Sequence, residues 1–342
     1  MSFLISLEKY ILAISPFLLL GLTIAGFIHI FLDVDKVKSL INTGKIKDIF
    51  VSALLGIPLP LCSCAVIPSA VTLRKAGVKN GATSSFLIST PETGVDSIMV
   101  TYAMMDFPMT LVRPLAAFIS ASFAGILQHF FNDFEYTEIN EVKSCCSKNK
   151  KVMATEGLFD KIRNAFRFAY VDLLDDISHW LFIGIISGAL IDHYVPMDLF
   201  LSLDGTLAKL LILFVGIPMY VCASATTPIA AALVAKGLSP GAALIFLLVG
   251  PATNISNILV LQKYIGKKGV ILNIVSIALV SFVLSFGLDF CYSYFSLPVD
   301  FKVTHQHTHG VSIFDYLFSG FFIFLLGISL FKINYNKYLK RS

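Results

Sequence analysis

Charged side chains are scarce in this sequence. Only 14% of its 342 residues are charged, 56% are hydrophobic, and the mean hydropathy is +0.80. In soluble domains about a quarter of the residues are charged, so this chain has too few charged residues to cover a water-facing surface of its size. Apolar runs at 11–32, 109–131, 267–290 and 311–331 approach or exceed the ~20 residues that cross a bilayer. The composition therefore predicts an all-α, polytopic protein of the cell membrane, with the lipid bilayer as a partner.

Several motifs are missing, and their absence excludes whole classes of function. The sequence has no phosphate-binding loop of the Gly-x4-Gly-Lys-Ser/Thr type, no Ser-His-Asp constellation and no His-Glu-x-x-His motif. Its six cysteines do not form the framework of a small secreted domain. We therefore expect no enzyme of these classes, no bound cofactor and no nucleic-acid partner. No small-residue cleavage site follows the run at 11–32, so we expect this run to be retained as a helix.

The sequence contains an internal repeat. Gly56-Ile57-Pro58 recurs at a constant offset of 160 residues as Gly216-Ile217-Pro218. The same offset pairs Cys62 with Cys222, Pro68 with Pro228, Gly77 with Gly237, Gly81 with Gly241, Pro91 with Pro251 and Thr93 with Thr253. A register kept over so many glycines and prolines indicates two related halves.

The repeat divides the chain into parts. We predict a first transmembrane repeat at 1–132, a cytoplasmic loop with an amphipathic helix at 133–171, and a second repeat at 172–293. An external loop at 294–310 and a C-terminal transmembrane helix with a basic tail at 311–342 complete the chain. The predicted helices of the two repeats are 11–32, 82–105 and 109–131, and 177–194, 241–262 and 267–290.

Prolines interrupt one further apolar segment in each repeat, at 49–73 and 209–234. A proline inside a bilayer frees backbone groups that protein or water must satisfy. If both segments are re-entrant, most of the 26 Lys and Arg lie on one side of the membrane. The other side then keeps Lys9, Arg113, Lys209, Lys236 and Lys302. Because Lys and Arg concentrate in cytoplasmic loops, this bias predicts two inverted repeats, an external N-terminus and a cytoplasmic C-terminus.

Three cysteines lie in the interrupted segments. The first segment contains Cys62-Ser63-Cys64 between prolines, and the second contains Cys222. Thiolates are soft ligands for Cu(I), Zn(II) and, by the same softness, trivalent arsenic. Cysteine also packs well as a small apolar residue, which is the simpler explanation for Cys222 taken alone. The close spacing of Cys62 and Cys64 favours a ligand role for these two. The candidate substrate contacts are Cys62, Ser63, Cys64 and Cys222.

Two carboxyl groups lie at a second predicted break, around Pro91, which recurs around Pro251 in the second repeat. Glu92 and Asp96 are four residues apart, which places them on one face of a helix. Carboxylates within a membrane are costly and occur mainly in ion pathways or proton relays, although they can also solvate an aqueous mouth. We predict proton coupling for both. Thr93, Asn254 and Asn257 are further candidate substrate or ion contacts, the asparagines alternatively capping a broken helix.

Two polar loops contain additional metal-ligating residues. Cys145 and Cys146 have lysines on both sides, which favours the thiolate for binding a soft cation or for redox switching. His305, His307 and His309 alternate in the loop before the last apolar run, a pattern that can ligate Zn or Cu. Ordinary loop composition would give the same residues. Both sets are candidate metal ligands outside the transport core.

The segments around the central residues resemble a known family. Pro60-Leu61-Cys62-Ser63-Cys64 with Pro68, and the segment from Ser89 to Ser97, are similar to motifs of the ArsP-like predicted permeases, and the resemblance extends over most of the chain. It implies an exporter of trivalent organoarsenicals or, in one branch, of copper and zinc. The additional cysteine and histidine loops resemble the copper/zinc branch more closely. The family's Cys-Ser-Cys substrate contact corresponds to Cys62, Ser63 and Cys64.

These features predict a secondary permease that exports a soft metal or metalloid through the Cys-Ser-Cys site, with protons coupled through Glu92 or Asp96. A soluble metal carrier is an expected partner. Two other functions stay open from the sequence: a thiol-redox enzyme that uses Cys62 and Cys64 as a dithiol, and a membrane subunit that needs a partner protein. The Cys-x-Cys spacing and the lack of a cofactor motif weigh against the redox enzyme.

Overall fold

The computed structural model describes residues 45–59, 61, 63–75, 77–135, 158–175, 205–219, 223–253, 255–296 and 313–339, with isolated helical positions between 8 and 41 and at 178, 182 and 186. All regular elements of this part are helices, as the composition predicts, and it contains no strand. The first half forms α1 (Lys47–Gly56), α2 (Ser63–Lys75), α3 (Asn80–Glu92), α4 (Val95–Met104) and α5 (Phe107–Phe131). After it come α6 (Leu158–Arg167), α7 (Gly205–Gly216), α8 (Ala223–Ala235), α9 (Pro240–Ala252), α10 (Ile255–Tyr294) and α11 (Ile313–Leu339).

The helices of the two halves follow each other at the offset of the sequence repeat. Helix α8 corresponds to α2, and α9 to α3, with matching first and last residues. Both α2 and α8 end in a turn at a glycine with positive φ, 90° at Gly77 and 111° at Gly237. Residues with a Cβ rarely adopt this conformation, so both turns favour glycine. The repeat of the sequence is therefore also a repeat of helical elements.

The first interrupted segment forms two helices, α1 and α2, joined by an irregular connection. Helix α1 runs beside α3 in the same direction, because Ile49 lies near Gly81 and Gly56 lies against Ser89. The turn at Gly77 links the end of α2 directly to the beginning of α3. Helix α1 therefore begins, and α2 ends, beside the same end of α3.

The segment predicted as one helix at 82–105 forms two helices instead. Helix α3 ends at Glu92, the backbone at Thr93 leaves the helical region, and α4 begins at Val95. Pro91, in the last turn of α3, has no N–H for the helical ladder. The second half has the same break at Thr253, after α9. The single helix predicted at 241–262 is therefore also wrong. The breaks expected around Pro91 and Pro251 are present.

Helix α10 joins two predicted helices, and its helical geometry is interrupted at Gly266 (φ 75°, ψ 164°). Helix α5 and residues 260–294 of α10 are long and apolar enough to cross a membrane. Helix α11 covers the last predicted transmembrane run. The predicted helices at 11–32 and 177–194 lie outside the described residues except at isolated positions.

The predicted amphipathic helix is present as α6 and continues as a π-helix over Phe168–Leu173. A Cβ on Gly26 would lie 2.5 Å from the carbonyl oxygen of Ala165, so the two backbones are in close contact. The hydroxyl groups of Thr23 and Tyr170 are hydrogen-bonded at 2.6 Å. The segment thus packs against the first apolar run.

Hydrogen bonds join neighbouring helices at the two ends of α5. Near its carboxyl end, Arg74 donates to the carbonyl oxygens of Phe134 and Tyr264. At its amino end, the carboxylate of Asp106 accepts from the hydroxyl of Tyr292 at 2.6 Å. Both contacts pair a residue of the first half with one of the second. They mark the opposite ends of the helical core.

Candidate functional site

In each half, a broken helix touches the connection that follows the first helix of the interrupted segment. The hydroxyl of Thr93 donates to a carbonyl oxygen of its own helix at 2.7 Å and to that of Ile57 at 3.5 Å. The hydroxyl of Thr253 does the same at 2.8 Å and, to Ile217, at 3.3 Å. Because carbonyl groups at a helix end lack intrahelical partners, the threonines supply donors there. The two breaks are thereby fixed against their neighbouring connections.

The backbone of α1 comes very close to α3 just before the first connection. A Cβ on Gly56 would lie 2.1 Å from Oγ of Ser89 and 2.6 Å from Oγ1 of Thr90. Real Cβ contacts are not this short, so the position admits glycine without rearrangement and no larger residue. The close approach holds the connection leading to the Cys-Ser-Cys motif beside the break that carries Glu92.

Glu92, the last residue of α3, is completely buried. Neither of its carboxyl oxygens accepts a hydrogen bond from any residue that the structure describes. The hydroxyl of Ser97, in α4, is equally buried and lacks a partner within the same part of the chain. Buried polar groups without partners are rare, and inside a membrane protein they are typical of functional sites.

Arg113 of α5 is also completely buried and connects both halves. Its Nη1 donates to Oγ1 of Thr101 at 2.6 Å, to Oγ1 of Thr227 at 2.9 Å and to the carbonyl oxygen of Ser97 at 3.3 Å. Its Nη2 donates to the carbonyl oxygen of Ala223 at 3.4 Å. These bonds join the guanidinium to neutral oxygens of α4 and of the first turns of α8. Its charge also interacts electrostatically with Glu92.

The second half has no equivalent of these two buried ionisable residues. The positions that correspond to Glu92 and Arg113 are Ala252 and Asn273. The amide of Asn273 is buried, accepts from Gln128 at 2.7 Å and donates to the hydroxyl of Ser84 at 3.3 Å. The helices of the two halves repeat, but the ionisable residues at these equivalent positions do not.

A polar cleft opens near the carboxyl end of α5. It has a volume of about 460 Å³. Its lining comprises Arg74, Gly77, Lys79, Asn80, Gly81, Gln128, His129, Asn132, Asp133, Phe134 and Glu135. Among the described residues, no group of three or more His, Cys, Asp and Glu is arranged to hold a metal ion. The cleft therefore presents polar and charged side chains at one end of the helical core.

The structure brings together part of the predicted site. Glu92 and Thr93 lie at the first break, both buried. Ser63 and Cys64 begin α2, Asp96 belongs to α4 and Asn257 to α10, with side chains outside the description. The other predicted site residues lie outside the described part: Cys62, Cys145, Cys146, Cys222, Asn254, His305, His307 and His309.

Sequence reasoning missed Arg113 and Thr227. The charge count treated Arg113 and Lys209 as loop residues of one membrane side, but the structure buries both in the helical core. Lys209 pairs with Asp289 at 2.7 Å. Arg113 lies in the second turn of a predicted membrane helix. A charged residue inside a membrane segment is a functional candidate by default, and this position is such a signal. That signal would have identified it.

Comparison with known proteins supports a membrane transport function. The model of a family described as a predicted permease, ArsP type, matches residues 1–290. A protein of Streptococcus mutans named as a subunit of a two-component membrane permease complex is 27% identical over 74% of this chain and 83% of its own length. The UPF0718 protein YcgR of Bacillus subtilis is 23% identical over 78% of this chain and 89% of its own length.

The similarity extends to archaea. The UPF0718 protein MJ0584 of Methanocaldococcus jannaschii is 22% identical over 66% of this chain and 77% of its own length. No solved structure matches the chain.

Proposed function

Because the chain belongs to the ArsP-type predicted permease family, we propose that it is a secondary permease that exports a soft heavy metal or a trivalent organoarsenical. Membership of this family indicates a membrane transporter. The identity of the substrate and the route through Cys62, Ser63 and Cys64 are our proposals.

The observation that carries the proposal is the contact between each helix break and the adjacent connection. Thr93 bonds to Ile57, and Thr253 bonds to Ile217. Helices broken inside a membrane protein expose backbone and side-chain groups to a substrate, and transporters place their sites where such breaks meet. The fully buried carboxyl of Glu92 at the first break supplies an ionisable group at this point. These features support a transport site at the breaks.

The start of α2 supports the thiol route. Helix α2 begins at Ser63, so Cys62 directly precedes its first turn and Cys64 belongs to that turn. The amino end of a helix stabilises negative charge, which favours the thiolate needed to bind a soft cation. Helix α8 begins at Ala223, directly after Cys222, so the second repeat offers the same arrangement. A cysteine at both helix starts is consistent with substrate transfer between two related thiol sites.

The hydrogen bonds at the ends of α5 support the inverted arrangement. Helix α3 begins beside Arg74, at the end where Tyr264 lies. Gly241 is the second residue of α9, and its N–H donates to Asp289 at 2.6 Å, near Tyr292 at the other end. The two corresponding helices therefore start from opposite ends of the core. Inverted repeats of this kind are typical of alternating-access transporters.

Transport assays with cysteine variants test the proposal. In inside-out membrane vesicles, we expect the wild type to accumulate Cu(I), Zn(II) or a trivalent organoarsenical. The double variant Cys62→Ser, Cys64→Ser should lose this accumulation because serine is a poor ligand for soft ions. The variant Cys291→Ser is the matched control, since Cys291 is exposed and belongs to the last turn of α10. Normal transport of every substrate by the double variant would contradict the thiol route.

A subunit of a larger permease is the second candidate, favoured by the name of the Streptococcus mutans relative. In that case the chain requires a second protein for transport. Purified chain reconstituted alone in liposomes should then be inactive, and activity should return with the co-purifying partner. Transport by the isolated chain would exclude this candidate.

A further inference from the structure

The buried arginine stands between two alternative sets of partners. Arg113 donates to Thr227 and Ala223 of α8, in the second half. Its charge also acts on Glu92, yet the carboxyl oxygens of Glu92 accept no hydrogen bond from it. In the structure, the described hydrogen bonds of the guanidinium go to neutral oxygens of α4 and α8. The carboxyl group is a nearby acceptor that it does not use.

Ionisation of Glu92 changes which partners are favourable. A neutral carboxyl group is tolerated in a buried position, whereas a carboxylate without a partner is very costly. Hydrogen bonds between arginine and carboxylate are roughly twice as strong as bonds to neutral oxygens, and they can be bidentate. Loss of the proton from Glu92 therefore pulls the guanidinium toward the carboxylate.

At the end of α10 near the start of α5, Asp289 pairs with Lys209, and Tyr292 donates to Asp106. The ionisable groups that follow, with His129 of α5 beside Gly81, are at the far end of α3 from Glu92. Asp48 of α1 and Arg74 of α2 lie near the beginning of α3. Helix α9 contains no ionisable residue. The lysines of α10 next to Tyr264 belong to the same far end: Lys263, Lys267 and Lys268. Asp96, in α4, has a side chain outside the described residues.

We infer that Arg113 is a positioning residue, which exchanges Thr227 and Ala223 of α8 for the carboxylate of Glu92 when Glu92 loses its proton. The O–H bond of the carboxyl group breaks, the proton passes to water, and the guanidinium stays charged throughout. Because Thr227 and Ala223 belong to the second half, the exchange releases a contact between the halves. The proton state of Glu92 thereby controls how tightly the halves are joined. The purpose of this device in transport rests on the proposed function.

Two neighbouring threonines provide a matched test and control. Thr226 and Thr227 are both completely buried, and the hydroxyl of each donates to the carbonyl oxygen of Ala223. The hydrogen bond from Arg113 goes to Thr227. The variants Thr227→Val and Thr226→Val therefore remove the same hydroxyl group from similar surroundings, but the first also removes an acceptor from Arg113.

The readout is the apparent melting temperature of the full chain, purified in detergent without substrate, between about pH 5 and pH 8. We expect the melting temperature of the wild type to fall as the pH rises, because ionising a buried carboxyl group costs free energy in the folded protein. Glu92→Gln should remove most of this fall. Thr227→Val should reduce it, because Arg113 then pairs more readily with the carboxylate. Thr226→Val should keep the wild-type profile.

Two outcomes overturn the inference. One is equal pH profiles for Thr227→Val and Thr226→Val, and the other is a wild-type profile in Glu92→Gln. If Thr227→Val does not fold, Thr227→Ser and Thr227→Ala replace it; serine keeps the hydroxyl and should retain the wild-type profile, whereas alanine should flatten it. The assay contains no metal or arsenical, so a failure of the vesicle experiment counts against the proposed function and leaves this result unaffected.

Discussion

At the scale of single residues, the two halves tolerate different side chains at equivalent positions. A Cβ on Gly56 would lie 2.1 Å from Ser89, whereas one on Gly216 would meet Val249 at 3.4 Å, an ordinary van der Waals distance. The first half therefore packs its helices more tightly at the start of its connection. This is also the half that carries Glu92 and Arg113.

This difference leads to a prediction for two alanine variants. Gly56→Ala should destabilise the protein by about 1–3 kcal/mol, the usual cost of overpacking, because the new methyl group must displace Ser89 and Thr90. Gly216→Ala should be nearly neutral. The apparent melting temperature in detergent measures both, with Gly287→Ala as the control in open surroundings. Equal destabilisation by the two substitutions would show that the close approach at Gly56 has no special role.

The sequence identified one of the two buried ionisable residues, Glu92, and missed the other, Arg113. Glu92 follows a proline in an apolar run, so its burial in a membrane could be inferred from local sequence. Arg113 lies near the beginning of a membrane helix, where an arginine also serves as an interfacial anchor. Its acceptor Thr227 is 114 residues distant in the chain. Local sequence contains no information about a contact at that separation.

At the scale of helices, an ion pair between a buried lysine and a partly exposed aspartate joins three elements of the second half. Nζ of Lys209, in α7, lies 2.7 Å from a carboxylate oxygen of Asp289, in α10. The other carboxylate oxygen of Asp289 accepts from the backbone N–H of Gly241, at the start of α9. The ammonium group also stacks on Phe286, 3.7 Å from the ring centroid. One carboxylate thus holds a lysine and a helix end together.

We predict that Asp289→Ala is strongly destabilising. Removing one partner of a buried pair leaves an uncompensated charge and costs about 3–5 kcal/mol. Asp175→Ala is the control, because Asp175 pairs with the half-exposed Lys332 and such pairs contribute about 0–1 kcal/mol. Thermal unfolding in detergent measures the difference. If the two variants lose the same stability, Lys209 has access to water when its partner is absent, and the pair is not a structural link.

Helix content was predictable from composition, but the course of individual helices was predictable only in part. Prolines correctly indicated breaks near Pro58 and Pro91. The apolar run at 82–105 nevertheless suggested a single helix, because hydropathy does not register the loss of hydrogen bonds at Thr93 and Gly94. The tertiary contact between Thr93 and Ile57 compensates for that loss, and no local pattern encodes it.

At the scale of the whole molecule, the ends of the helices define a test of topology. Lys47 and Lys79 are exposed beside the beginning of α3. Lys236 is exposed in the turn that precedes α9. In a chain with inverted halves, Lys47→Cys and Lys79→Cys should react with an impermeant maleimide from one side of the membrane, and Lys236→Cys from the other. The native cysteines are replaced beforehand. Labelling of all three positions from the same side would rule out the inverted arrangement.

The second half lacks counterparts of three ionisable residues at the first break, and this has a consequence for stoichiometry. Glu92, Asp96 and Arg113 correspond to Ala252, Ser256 and Asn273. A homodimer of identical subunits would contain two copies of every acidic and basic residue, related by its symmetry axis. In a single chain the two halves can differ, so the first half carries Glu92 and Asp96 while the second has Ala252 and Ser256 at the equivalent positions. A proton count that depends on these carboxyl groups would therefore be set by the sequence of one half rather than by the assembly of identical subunits.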